Sequence, residues 1–94
     1  MTARLPPVKF LLVDDRAESL FALSGVLARD GLQLVTASSG LEALEALLVH
    51  EFALAIVDVE MPEMNGLELA EVIRHNQRTR HLPLIFVTAG TPGR

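Results

Sequence analysis

Three aspartates and one threonine are the residues of this chain best suited to bind a ligand or to react. Each lies at the end of an apolar run typical of a buried β-strand: Asp14, Asp15, Asp58 and Thr88. Carboxylates gathered in one place repel each other, and two unit charges about 5 Å apart cost roughly 3 kcal/mol at an effective dielectric near 20. A divalent cation would offset that repulsion, and Mg²⁺ prefers such an all-oxygen set of ligands. The residue types therefore predict a magnesium-binding acidic pocket.

Asp58 is also a candidate nucleophile, because a carboxylate can attack phosphorus and form an aspartyl-phosphate. The segment 61–66 combines Pro with Asn-Gly and predicts a loop that leaves room for an incoming phosphoryl group. Thr88 would add a hydroxyl at the same place, beside the small side chain of Ala89. For Asp15 alone, a helix N-cap is an equally compatible interpretation. No helix is predicted directly after Asp58, so a cap does not explain that residue.

The elements that must position these residues alternate between short apolar runs and stretches with apolar residues at helical spacing. They predict strands at 8–13, 32–37, 52–57 and 84–87, and helices at about 17–29, from 40 onward, and at about 67–76. Ser39 and Glu42 predict a capping box at the start of the second helix. This βαβαβαβ order predicts an α/β fold with a parallel sheet. Right-handed crossovers then bring the carboxyl ends of all strands, with their polar residues, to one edge.

Composition and charge exclude several other kinds of function. The chain has no cysteine, which excludes disulfides, zinc–thiolate sites and thiol catalysis. Its formal net charge of −4 argues against non-specific nucleic-acid binding. The cluster of Arg74, Arg78, Arg80 and His81 has no interleaved aromatic residue and is interpreted as a solvated helix end. No apolar run is long enough for a signal peptide or a membrane span, so a soluble, cytoplasmic protein is expected.

Three segments together resemble the receiver domain of two-component response regulators. They are Phe10-Leu-Leu-Val-Asp-Asp15, Ala53-Leu-Ala-Ile-Val-Asp-Val-Glu-Met-Pro-Glu-Met-Asn-Gly66 and Pro83-Leu-Ile-Phe-Val-Thr-Ala89. The spacing Asp58-x-x-x-Pro62-x-x-x-Gly66 is specific, and the thirty-residue step from Asp58 to Thr88 also fits the family. The resemblance covers nearly the whole chain. It implies the receiver fold, a flavodoxin-like, doubly wound parallel sheet with strand order 2-1-3-4-5.

The same resemblance implies a signalling phosphoacceptor rather than an enzyme in the ordinary sense. Asp58 would accept a phosphoryl group from a phosphohistidine on a histidine kinase or a phosphotransfer protein. Asp15 and Asp58 would hold Mg²⁺ directly, and the backbone carbonyl of Glu60 would be a further ligand. Asp14 would hold a water molecule on the metal. Thr88 matches the family's switch hydroxyl, which would move toward the phosphoryl oxygens and shift a balance between inactive and active surfaces.

Compared with that family, residues 1–94 are expected to form the N-terminal part of a receiver domain. Receivers of this type have five βα units, whereas the predicted elements here lack the fourth helix, the fifth strand and the fifth helix. The family's pocket lysine and its aromatic switch residue belong to those elements. Lys9 is the only lysine of the sequence, and its place near the start of the first strand puts it at the opposite edge from the pocket.

The absent last helix would cover the same face of the sheet as the first helix. Apolar residues of the first and third strands are therefore expected to face water, and the fourth strand, 84–87, is expected to be a bare edge. We expect the chain to form a homodimer or to swap segments through that strand and that face.

The main alternative is an interaction module that uses the receiver scaffold without phosphorylation. The missing lysine favours this alternative, whereas the intact acidic residues and Thr88 favour a phosphoacceptor. An aspartyl-phosphate hydrolase usually has a second Asp two residues after its nucleophile, at the end of the first strand. Here that second residue is Glu60, after the third strand. A nucleotide-binding fold is weaker still, because no glycine-rich loop follows the first strand.

Overall fold

The computed structural model describes residues 6–88, which form one sheet and the helices that flank it. In chain order the elements are β1 Val8–Val13, α1 Ala17–Leu27, β2 Leu32–Ala37, α2 Gly40–Val49, β3 Leu54–Asp58, α3 Gly66–His75 and β4 Leu84–Val87. The strands are all parallel and are hydrogen-bonded in the order β2-β1-β3-β4. The predicted βαβαβαβ order and α/β class are therefore confirmed. Within residues 6–88, no helix is long and apolar enough to cross a membrane.

The end of α1 and both ends of β3 differ from the sequence prediction, and α3 is shifted by one residue. α1 ends at Leu27, earlier than predicted, because Ala28 adopts an extended conformation with ψ 130°. Gly31, with φ 82°, then makes the turn into β2 in a left-handed conformation that glycine adopts readily. β3 starts later than predicted, at Leu54, and it extends to Asp58 because that residue still pairs with Val87 of β4.

The register of the sheet brings the carboxyl ends of the strands to the same edge. Val13, the last residue of β1, pairs with Val57, and Asp58 pairs with Val87. The chain moves from β1 to β2 in one direction across the sheet and from β2 to β3 in the other. Right-handed crossovers therefore place α1 on one face and α2 and α3 on the opposite face. The connections therefore run in opposite directions from the adjacent strands β1 and β3. Ligands bind at the carboxyl ends of the strands at such a point in folds of this kind.

The face covered by α2 and α3, called the packed face below, contains the main hydrophobic core. Alternate residues of the two central strands point into it and are buried: Leu11, Val13, Ala55 and Val57. The two helices complete this core with buried side chains of their own: Ala43, Leu47, Leu69 and Ile73. Because protein cores are close-packed, this face fixes the central strands in place.

The opposite face, called the open face below, is covered by α1 alone among the elements of residues 6–88. Leu12 and Ile56 on this face are 0% and 8% exposed. The prediction that apolar residues of the first and third strands face water is therefore wrong for these two, because the helix and the neighbouring strands shield them. α1 itself contributes no buried side chain, and its Phe21 is 84% exposed.

β4 is an exposed edge strand, as the sequence predicts. Leu84 is half-buried, but the three residues after it, Ile85, Phe86 and Val87, are all exposed. In the described part of the chain, β4 pairs only with β3, so its other side carries unpaired backbone groups. Such an edge is a template for pairing with another strand.

Side chains cap both helices of the packed face. At α2, Ser39 Oγ accepts a hydrogen bond from the Glu42 N–H at 3.1 Å. The Glu42 carboxylate, however, accepts from Ser38 rather than from Ser39, so the predicted capping box is only half formed. At α3, Asn65 and Glu68 form a complete capping box. Asn65 is therefore a helix cap as well as part of the predicted turn.

The predicted basic cluster lies at the end of α3 and in the loop that follows it, near the amino edge of the sheet. Arg74 donates hydrogen bonds to the carbonyls of Arg80 and Leu82 at 2.9 and 2.6 Å. Arg78 donates to the carbonyl of Leu47 at 2.7 Å, near the end of α2. The interpretation as a solvated helix end is therefore incomplete, because both guanidinium groups bind backbone carbonyls and hold this loop in place.

Candidate metal centre

Asp14, Asp15 and Asp58 meet at the carboxyl edge of the sheet. Each offers a carboxylate oxygen, and these oxygens all lie within 4.8 Å of one another. Asp58 ends β3 and is 2% exposed, Asp14 follows β1 and is 9% exposed, and Asp15 is exposed. The fold therefore brings together the three acids that the sequence predicts as one pocket.

Backbone N–H groups of the following residues hold the two buried carboxylates. Asp14 Oδ1 accepts a hydrogen bond from the Arg16 N–H at 2.9 Å, and Asp58 Oδ1 accepts one from the Glu60 N–H at 3.2 Å. Asp15 is not the N-cap of α1, because Arg16 occupies that position and its side chain makes no capping hydrogen bond. The helix-cap interpretation of Asp15 is therefore wrong.

The electrostatics of the pocket oppose ionisation of Asp58. Burial raises the pKa of its carboxyl group, and the neighbouring charges of Asp14 and Asp15 raise it further. The Glu60 N–H and the positive charge of Arg16 lower the pKa but do not outweigh burial. A cation placed among the three acids would favour the charged form of Asp58.

This set of groups fits Mg²⁺ by its donor chemistry. The acids supply hard oxygen ligands, close together and carrying excess negative charge, and Mg²⁺ takes such ligands along with water. No sulfur or imidazole ligand takes part in the cluster. The exposed position of Asp15 leaves one side of the pocket accessible to solvent.

The loop after Asp58 is fixed by a close contact that requires glycine at position 66. The Gly66 N–H donates to the Val59 carbonyl at 2.9 Å. A Cβ atom on Gly66 would collide with the backbone carbonyl oxygen of Asp58 and lie 2.9 Å from Val59 Cα. This contact explains why the spacing between Asp58 and Gly66 matters, since the start of α3 packs directly on the backbone of the acid.

A groove of about 390 Å³ on the open face leads to the acidic pocket. Its walls come from α1 and the end of β4, and it is lined by Asp14, Arg16, Ser19, Ala22, Leu23, Val26, Asp58, Val87 and Thr88. Thr88 is exposed and shares this groove with the two buried acids, as the sequence predicts. Ala89 lies outside the described residues, and the role of the Glu60 carbonyl stays a prediction.

Two basic residues show where sequence reasoning succeeded and where it fell short. Lys9 lies far from the groove, as predicted, with its Nζ 3.1 Å from His50 Nδ1 at the other edge of the sheet. The sequence patterns assign no role to Arg16, although it lines the groove and its charge acts on Asp58. The available signal was its place directly after Asp14-Asp15, at the junction of β1 and α1.

Comparison with known proteins agrees with the geometry. The family described as "Response regulator receiver domain" matches residues 10–92. DivK, a polar-differentiation response regulator of Brucella ovis, is 30% identical over 84% of this chain and 64% of its own length. The crystal structure of the response regulator TrrA from Thermotoga maritima, in complex with Mg²⁺-BeF, is 33% identical with a TM-score of 0.79, covering 89% of this chain and 71% of that one.

A similar sequence occurs as one segment of a much longer relative. A probable cyclic di-GMP phosphodiesterase of Vibrio cholerae is 40% identical over 83% of this chain, which spans only 18% of that protein. The likeness is therefore to one segment of that relative. The family match, the sheet order and the acidic edge agree, and the chain belongs to the response regulator receiver domain family.

Proposed function

We propose that this chain is a phosphoacceptor of two-component signalling, in which Asp58 receives a phosphoryl group from a histidine kinase or a phosphotransfer protein. The observation that carries the proposal is the cluster of three carboxylates at the carboxyl edge, with Asp58 buried at the end of the groove. Membership of the receiver family supports it. So does the TrrA structure, which is described in complex with Mg²⁺-BeF.

The chemistry follows from the groups at this edge. An oxygen of the Asp58 carboxylate attacks phosphorus, the phosphorus–nitrogen bond of the phosphohistidine breaks with its electron pair going to the ring nitrogen, and that nitrogen takes up a proton from solvent. Asp14 and Asp15, with the backbone carbonyl of Glu60, are the proposed partners of Asp58 in holding Mg²⁺ or its water. When bound, Mg²⁺ supplies positive charge that stabilises the negative phosphoryl oxygens. Thr88 is the proposed switch hydroxyl, since it lies in the same groove.

Metal and phosphate-analogue binding test this proposal directly. The chain has no Trp or Tyr, so calorimetry or thermal unfolding is a better readout than intrinsic fluorescence. At a hundred times its dissociation constant, Mg²⁺ should stabilise the fold by about 2.7 kcal/mol. Beryllofluoride should bind only with Mg²⁺ present. Asp58→Asn should abolish the beryllofluoride effect, whereas Asp30→Asn, on an exposed residue after α1, should retain it.

A phosphorylation-independent interaction module would give a different result. In that case neither Mg²⁺ with beryllofluoride nor a phosphorylated donor would alter the protein, and the phosphoacceptor proposal would be wrong. The family match and the response-regulator relatives favour the phosphoacceptor.

We also propose that a second copy of this chain pairs with the edge of β4 and covers part of the open face. The supporting observation is the row of exposed apolar residues on that edge, of which Ile85 is 47% exposed and Val87 37% exposed. Light scattering over a concentration series should show a dimer, and Ile85→Lys should shift it to a monomer. Leu48→Lys, at a 72% exposed position of α2, is the matched control and should leave the dimer intact. A well-folded monomer at high concentration would contradict the proposal.

A further inference from the structure

Arg16 is the one positively charged residue among the described residues that line the groove. Three other basic side chains form hydrogen bonds near the amino edge of the sheet. Lys9 bonds with His50, Arg74 with the carbonyls of Arg80 and Leu82, and Arg78 with the carbonyl of Leu47. The guanidinium of Arg16 is close enough to Asp58 for its charge to act on that carboxylate. Among the basic residues of the described range 6–88, Arg16 is therefore the one positioned in the groove to contact a group bound at Asp58.

The position of Arg16 is unfavourable for the helix that it begins. N-cap positions prefer Ser, Thr, Asp or Asn, whose side chains bond the free N–H groups of the first turn. Arg16 makes no such bond, and a positive charge at a helix N-terminus opposes the helix dipole. A residue that breaks a local rule in this way is expected at a functional site. Asp14 accepts a hydrogen bond from the backbone N–H of Arg16, which fixes the backbone of this residue beside the pocket.

The charge balance of the pocket shows what Arg16 can contribute. Three ionised carboxylates carry three negative charges, and a divalent cation offsets two of them. Arg16 offsets the third, so an incoming phosphoryl group meets a neutral pocket rather than an anionic one. A guanidinium also matches a phosphoryl group in shape, because its N–H groups can donate to two oxygens at once.

We propose that the guanidinium of Arg16 binds the phosphoryl oxygens of the group carried by Asp58, from the groove between α1 and β4. The proposal rests on Asp58 being the phosphoacceptor. Arg16 stabilises the charge that builds on those oxygens during transfer, and it holds the phosphoryl group afterwards. The proton and the leaving imidazole follow the course given above, since Arg16 stays protonated throughout.

The test compares two ligands in the same variants. Calorimetry measures the affinity for Mg²⁺ alone and for beryllofluoride in the presence of Mg²⁺, using the whole chain. Arg16→Gln should weaken beryllofluoride binding by about tenfold, the size of one lost charge-assisted hydrogen bond. The same change should strengthen Mg²⁺ binding by about threefold, because it removes a like charge from the metal site. Damage to the fold would weaken the binding of both ligands, so opposite signs exclude that explanation, and Arg16→Lys separates direct contact from the effect of charge alone.

Two further variants complete the test. Arg16→Lys keeps the charge but loses the two-oxygen geometry, so its beryllofluoride affinity should fall between wild type and Arg16→Gln. Arg29→Gln removes the same charge from an exposed residue just past the other end of α1 and should change neither affinity. Unchanged beryllofluoride affinity in Arg16→Gln would overturn this proposal while leaving Asp58 as the acceptor. A wild-type chain that binds no beryllofluoride would overturn both proposals.

Discussion

The two faces of the sheet are built in different ways, although helices cover both. On the packed face, α2 and α3 each bury several residues against the central strands, and side chains cap both helices. On the open face, α1 buries none of its own residues and begins at Arg16 without a side-chain cap. The packed face therefore fixes the strands, while the open face keeps a groove that reaches the acids. The helices of the packed face fix the strand that carries Asp58, and the groove on the open face gives access to its carboxylate.

The largest expected effect contrasts a buried side chain on one face with an exposed one on the other. Leu69→Ala, at a fully buried position of α3, should cost about 3 kcal/mol of unfolding free energy through lost burial and a cavity. Phe21→Ala, at the 84% exposed position of α1, should change it by less than about 0.5 kcal/mol. Urea denaturation of both variants measures the difference. If Phe21→Ala cost as much as Leu69→Ala, the open face would be covered in solution.

The next largest expected change in unfolding free energy contrasts two glycines, one at the start of α3 and one in α1. Gly66→Ala should destabilise the fold by about 2 kcal/mol, because its Cβ would meet the backbone of Asp58 and Val59 and force a shift. Gly25→Ala in α1 should stabilise the fold by about 0.5–1 kcal/mol, since alanine favours the helix and nothing lies within 4 Å of the added atom. Thermal unfolding reports both signs. A loss of Mg²⁺ binding in Gly66→Ala alone would further tie this contact to the position of Asp58.

The smallest expected effect concerns the pH dependence of Asp58, where the two faces meet. Its raised pKa means that the folded chain holds the proton more tightly than the unfolded chain. The ionised group therefore lowers stability at neutral pH, and this cost disappears as the pH falls through the raised pKa. Without metal, Asp58→Asn should be more stable than wild type at pH 7, by a fraction of the Leu69→Ala effect. The difference should vanish below about pH 3.9, the ordinary aspartate value.

Denaturation curves over a pH series, in the presence of a chelator, measure this trend. Asp30→Asn is the control, because Asp30 is exposed outside the acidic cluster and its replacement should leave the curve nearly parallel to wild type. A wild-type chain that grew steadily more stable than Asp58→Asn as the pH rose would contradict the expected sign.

Local patterns in the sequence determined the elements and the acids that share an edge. Continuous apolar runs marked the strands, and three of them, β1, β2 and β4, have the predicted bounds. The position of Asp14, Asp15 and Asp58 at strand ends predicted their meeting, because parallel strands with right-handed crossovers leave no other edge for them. These features depend on periodicity and on the direction of the chain, which neighbouring residues already encode.

The tertiary structure decided what each residue faces. The sequence did not show that α1 shields Leu12 and Ile56 while burying none of its own side chains, since apolar spacing looks alike on both kinds of helix. Nor did it show that Asp15 is free of a capping role, or that Arg16 lines the groove beside Asp58. Burial and electrostatic contact depend on distances between segments far apart in the chain, and only the packed fold sets those distances.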